Sequence, residues 1–152
     1  MVSFFNGMGK YDLQRGVFKK GLLIAITLSI LFVICILILK THIGEIFGAS
    51  MDANIIISFA MPIAAFSFIM QSVVRFGTSY FYSSGESRCS SFLTYIEPLI
   101  VSPLCIIILT NFFGLNGVWF AIPLVQFILL VLFLILFYST NIRKYKIELK
   151  SI

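Results

Sequence analysis

The chain has 152 residues, of which 60% are hydrophobic and 11% charged, with a formal net charge of +5. Soluble domains run at roughly 45–50% apolar and about 25% charged, so a water-soluble enzyme domain, a disordered tail and a disulfide scaffold are excluded, and a bilayer is the expected solvent. The basic excess then reads as an orientation signal rather than as the footprint of a nucleic-acid partner.

From the N-terminus, residues 1–17 form a lead containing Lys10 and Arg15, with Lys19 and Lys20 just beyond. No charged segment is followed there by a short apolar core and a small-residue cleavage site, so a removable signal is not expected. Four apolar segments follow, at about 18–40, 53–83, 89–112 and 117–139, each near the ~20 residues that a helix needs to cross ~30 Å of hydrocarbon. Gly85 to Ser87 marks the turn between the second and third. Asn111 to Gly117, rich in Asn and Gly, breaks the uncharged stretch between Pro98 and Ile142. A tail, 140–152, closes the chain. The expected fold class is all-α integral membrane, with four transmembrane helices in a single membrane region.

Lys10, Arg15, Lys19, Lys20, Arg75, Arg88, Arg143, Lys144, Lys146 and Lys150 fall on one side of this layout and Lys40 alone on the other. By the positive-inside rule both termini face the cytoplasm of a cell (inner) membrane. Tyr80, Phe81 and Tyr82, with Tyr138 and Tyr145, are expected to form an aromatic belt at the inner interface. Cys35 and Cys105 read as small hydrophobes, and Cys89 is expected near the cytoplasmic face.

Catalytic motifs are absent: no HExxH, GxxxxGK[ST], CxxC or GxSxG occurs. The chain is therefore not expected to be an enzyme, or to hold a metal or cofactor. His42, the single histidine, is expected to be an ordinary interfacial residue.

Glu97 is the most informative residue. A charged group at the centre of a membrane helix costs roughly 2.5–3.5 kcal/mol on insertion scales, and such groups mark ion or substrate paths. One reading is a proton- or cation-coupling carboxylate. The other is a structural ion pair: Arg75 lies as far before Glu86 as Glu97 lies after it, so an antiparallel hairpin brings both to similar depth. Ser67, Gln71 and Arg75 recur at four-residue spacing and share a helix face. Together with Tyr95 on the next span they either line a cavity or bond a neighbouring helix. Gln126, a lone polar residue in the last span, reads as interhelical glue. Pro62, Pro98, Pro103 and Pro123 all fall inside spans, where each removes a backbone donor and favours a kink.

Three stretches resemble the multidrug and toxic compound extrusion (MATE) family. Asn111 to Val125, N-F-F-G-L-N-G-V-W-F-A-I-P-L-V, resembles the signature opening that family's last helix, with Gly114, Asn116, Gly117, Trp119 and Pro123 as structural motif residues. Ser3 to Gly21 is similar to the cytoplasmic connection within its second lobe. Phe81 to Arg88, F-Y-S-S-G-E-S-R, stands where the family has a cytoplasmic turn. Glu97–Pro98 departs from the Arg-Gln common there. The resemblance implies the last four helices of a twelve-helix transporter, part of its C-terminal lobe. It further implies a secondary antiporter exchanging H+ or Na+ for cationic lipophilic compounds. A truncated or split chain of this kind is expected to be inactive alone, with a complementary N-terminal fragment as its partner, besides membrane lipid. The alternatives are a lipid-linked oligosaccharide flippase of the same superfamily and a small four-span membrane partner protein.

Overall fold

The computed structural model describes residues 1–150, with side chains described for residues 1–141. The side chains of Arg143, Lys144, Tyr145, Lys146 and Lys150, on which part of the orientation argument and of the aromatic belt rests, lie outside the described residues, as do residues 151–152. Among the described residues the fold is helical throughout: α1 (Val2–Gly7), α2 (Tyr11–Leu39), α3 (Ile43–Ile46), α4 (Met51–Ser83), α5 (Ser87–Ile96), a π-helical turn (Glu97–Val101), α6 (Ser102–Phe113) and α7 (Leu115–Lys150). Four stretches are long and apolar enough to span a membrane: Tyr11–Leu39, Met51–Ser83, Ser87–Phe113 and Leu115–Asn141. The third is α5, the π turn and α6 in series.

Local chemistry sets the breaks. Ser50 caps α4 by accepting from the Ala53 amide at 3.3 Å. At the other end Gly85, at φ +81°, lets the chain leave α4 in a left-handed conformation. The Glu86 amide then reaches back to the Phe81 carbonyl (2.9 Å) and the Gly85 amide to Tyr82 (3.3 Å), which satisfies the last orphan carbonyls of the helix. Gly114, at φ +59°, ends α6 in the same left-handed region, and α7 starts one residue later. The expected break at Asn111 to Gly117 is thus concentrated in one glycine. The first span begins at Tyr11, inside the expected lead, and α7 runs on into the expected tail as far as Lys150.

α4 is the central helix. It packs against α2, against α7 and, near the Gly85 turn, against α5, while α6 packs on α7. Two apolar clusters hold the bundle. Val74, Val101, Cys105, Ala121, Val125 and Leu129 join α4, the π turn, α6 and α7. Phe18, Tyr80, Phe81, Leu93 and Phe133 form an aromatic core nearer the Gly85 turn, with Phe18 and Tyr80 ring centroids 4.3 Å apart. Tyr80 and Phe81 are therefore core residues rather than belt residues. Helical periodicity turns them towards α2 and α7 and leaves Tyr82 exposed, as Tyr138 is on α7.

Close helix contacts depend on missing side chains. A Cβ on Gly77 would strike the Phe133 ring, and one on Gly117 would strike the Leu109 backbone carbonyl. Small residues of this kind let membrane helices approach closely.

Candidate functional site

The polar residues of the spans converge on the π turn. Its first residue is Glu97, and Pro98 and Pro103 bracket the widened segment. Proline lacks the amide that would close a regular turn, so two prolines five residues apart favour a locally wider helix. The Ser102 amide accordingly bonds back five residues to the Glu97 carbonyl.

Arg75 on α4 and Glu97 form an ion pair, Nη2 to Oε2, at 2.8 Å. Gln126 on α7 donates from Nε2 to the other oxygen, Oε1, at 3.0 Å. One carboxylate thereby ties together α4, the third span and α7. Arg75 stands eight residues before the end of α4, about 12 Å along the helix, and Glu97 ten residues after the start of α5, about 15 Å. The antiparallel hairpin closed at Gly85 therefore puts them at matching depth. The Glu97 side chain is 13% exposed and Arg75 51%. About half of the Arg75 side chain thus opens into space at the depth of the apolar spans, an environment in which charge faces a bundle interior or a water-filled cavity.

That space is a groove of about 660 Å³ whose lining includes Arg75, Thr94, Glu97, Pro98, Ser102 and Pro103. A smaller pocket of about 240 Å³ adjoins it between α6 and α7, sharing Glu97 and Ser102 and adding Gln126 with Ala121, Ile122 and Val125. A third depression, between α2 and α4, is lined by Ser29, Phe32, Phe68, Gln71, Ser72 and Arg75. There Ser72 donates to Ser29 at 3.2 Å.

The expected stripe on α4 divides. Gln71 and Arg75 share the depression beside α2, while Ser67 is buried and returns its hydroxyl to the Ala64 carbonyl. Tyr95 is exposed and lines a separate apolar groove with Arg88, Phe92 and Leu99, so it does not meet Glu97. Tyr95 follows Thr94 on the next helix position, and a step of one residue turns a side chain ~100° away. Of the motif residues, Gly114 and Gly117 act through the backbone, and Asn116 is exposed. Pro123 sits inside α7, and Trp119 Nε1 is buried with no hydrogen-bond partner among the described residues. His42 pairs with Glu45 at 3.5 Å on the exposed opposite end, a geometry worth little in stability. Among the described residues no three His, Cys, Asp or Glu side chains gather as a metal site.

Gln126 bonds across helices, as a glue residue is expected to, and its partner is the carboxylate of the site. The signal in the sequence is its isolation, since a lone amide in an apolar span needs a partner. Which partner it takes depends on helix rotation, which periodicity leaves open. Ser102 and Thr94 gave no signal, because hydroxyls in membrane helices usually return to their own backbone, as Thr94 does to Ser90.

Fold and site together define a multi-pass membrane protein with a charged, three-helix polar centre. No family model, curated protein or solved structure matches the chain.

Proposed function

We propose that the chain is the ion-coupling part of a secondary transporter of the MATE type, exchanging H+ or Na+ for cationic lipophilic compounds across the cell membrane. The observation that carries this reading is the Glu97 carboxylate, held by Arg75 and Gln126 beside an open groove. Arg75 acts as a tethered cation that neutralises Glu97 while no other cation is present. An arriving cation competes with the guanidinium for the same oxygens, and binding one releases the other. Such competition for one carboxylate is the minimum that exchange requires.

The surface supports a larger assembly. Arg75 is half exposed and the polar depression beside it, between α2 and α4, opens outward, and hydrocarbon is a poor solvent for either. They suit a second set of helices, the complementary lobe, with the transport path between the two. The termini and the Gly85 turn are then cytoplasmic, by the distribution of Lys and Arg.

The test is binding. Purified chain in lipid nanodiscs is expected to bind a cationic lipophilic dye such as ethidium, read by fluorescence anisotropy. Glu97→Gln should abolish binding. Equal binding by wild type and Glu97→Gln would refute the reading. Arg75, as a basic residue on the groove, favours the flippase as the second reading. An anionic lipid-linked sugar phosphate that competes where ethidium does not would establish that alternative.

A further inference from the structure

The face of the third span that carries Tyr95 has no part in the Glu97 site. Ser87, Ser91, Tyr95 and Leu99 recur along it at four-residue spacing, and a second row, begun by Arg88 and Phe92, runs beside them to Ile100. They line a groove of about 560 Å³ that shares no residue with the groove beside Arg75 and Glu97. Its chemistry is graded. Ser87, Arg88 and Ser91 stand together at the Gly85 end, and the remaining lining side chains are apolar apart from the Tyr95 hydroxyl.

The grading matches depth in a bilayer. The span Ser87–Phe113 has 27 residues, about 40 Å of helix against ~30 Å of hydrocarbon. A central crossing leaves ~5 Å at each end among the headgroups, which is where Arg88 lies, with Ser91 at the lower edge of that zone. From Ser91 to Ile100 the helix descends about 13 Å, close to the ~15 Å of one leaflet. The groove is therefore polar at headgroup level and apolar for the depth of one leaflet. Arg88 is exposed and makes no ion pair among the described residues, and no acidic side chain lines the groove. Hydroxyls in membrane helices usually return to their own backbone, as Thr94 does to Ser90. Those of Ser87 and Ser91 bond no group among the described residues.

We infer that this groove binds an anionic phospholipid of the leaflet at the Gly85 end, with the phosphate on Arg88 and one acyl chain along Phe92, Tyr95 and Leu99. Ser87 and Ser91 donate to the headgroup oxygens. Charge selects the lipid. A zwitterionic headgroup carries its own cation beside the phosphate, whereas a net negative one neutralises Arg88. One Arg at a membrane surface corresponds to about a five-fold preference for an anionic lipid. The site asks nothing of Glu97, so it stands apart from the exchange reading and neither outcome bears on the other.

The experiment reads the groove directly. Tyr95→Trp in a Trp119→Phe background makes the groove position the single tryptophan of the chain. The purified full chain is reconstituted in phosphatidylcholine vesicles in which either phosphatidylcholine or added phosphatidylglycerol carries brominated acyl chains, which quench tryptophan on contact. Phosphatidylglycerol is expected to bind with about five-fold higher relative affinity. Arg88→Gln should bring the ratio to about one, Arg88→Lys should retain most of the preference because the charge remains, and Ser87→Ala with Ser91→Ala should lower it. Leu134→Trp, on an exposed position of α7, reports lipid elsewhere on the same protein. Equal quenching by the two lipids with Arg88 in place, or a preference unchanged by Arg88→Gln, would overturn the site. An equal fall at Leu134→Trp would assign the preference to overall charge and overturn it as well. Loss of quenching by either lipid at Tyr95→Trp, with full quenching at Leu134→Trp, would show the groove covered by another protein surface and so exclude a lipid there.

Discussion

Arg75 and Glu97 meet at 2.8 Å although each belongs to a different arm of the hairpin closed at Gly85. The pair is asymmetric, because Glu97 is nearly enclosed and Arg75 is half open. Removing one partner therefore differs from removing the other. Arg75→Ala strands a carboxylate whose remaining partner is a neutral amide. Breaking a buried pair in this way costs 3–5 kcal/mol in general, and the exposure of Arg75 reduces that to about 1–3 kcal/mol. Glu97→Gln leaves the cation in the open groove and is expected to cost less. The double variant should recover part of the Arg75→Ala loss. Unfolding in nanodiscs for all four proteins provides the cycle, and additive effects would show that the pair carries no coupling.

The glycines make a separate prediction about packing. Gly117→Ala places a methyl group against the Leu109 carbonyl, and backbone yields less readily than a side chain. Gly77→Ala strikes the Phe133 ring in the aromatic core. Overpacking of this kind costs about 1–3 kcal/mol, and Gly117→Ala should be the worse because α6 must move as a body. Gly16→Ala, on α2 with nothing within 4 Å of the new methyl, should be neutral or stabilising by up to ~1 kcal/mol from helix propensity. Phe133→Leu combined with Gly77→Ala should relieve part of the strain. A Gly77→Ala protein as stable as Gly16→Ala would contradict the packing described.

The spans were legible because hydropathy over some twenty residues outweighs any local preference. The depth match of Arg75 and Glu97 was legible too, since two helices of equal rise leave one turn together. Rotation was not legible. Tyr80 and Phe81 look like interface aromatics in one dimension, and only contact with Phe18 and Phe133 turns them into core. Tyr95 belongs to the same hairpin as Ser67, Gln71 and Arg75 in one dimension, and the helix carries it to another face. The π turn was invisible for a related reason. Pro98 and Pro103 announce a disturbance, but a kink and a widened turn begin from the same missing amides.

The π turn can be tested by deletion. It accommodates an additional residue between flanking segments that keep their register. Deleting Leu99, which is 71% exposed within the turn, should close the segment to a regular helix and leave α6 seated on α7. Deleting Leu104, exposed in regular α6, should rotate the helix beyond it by ~100° and pull Cys105 and Leu109 out of register with Val101. The expected outcome is a folded protein with the Arg75–Glu97 coupling retained in the first deletion, and loss of folding or coupling in the second. Equal damage from both deletions would mean that the widened turn is not absorbing a residue.

Sidedness is testable without transport. Ser50 lies exposed between α3 and α4, at the opposite end of α4 from exposed Ser87 at the start of α5. The excess of Lys and Arg on the Gly85 side leads to the proposal that this end is cytoplasmic. In a background lacking Cys35, Cys89 and Cys105, Ser50→Cys should react with a membrane-impermeant maleimide on intact cells. Ser87→Cys should react only in inverted vesicles. Four crossings also put the N-terminus on the Ser87 side, so a tag preceding Met1 should follow the Ser87→Cys pattern. Labelling of both cysteines from one side would contradict the four-span layout, and exchange of the two patterns would keep the layout while reversing its orientation.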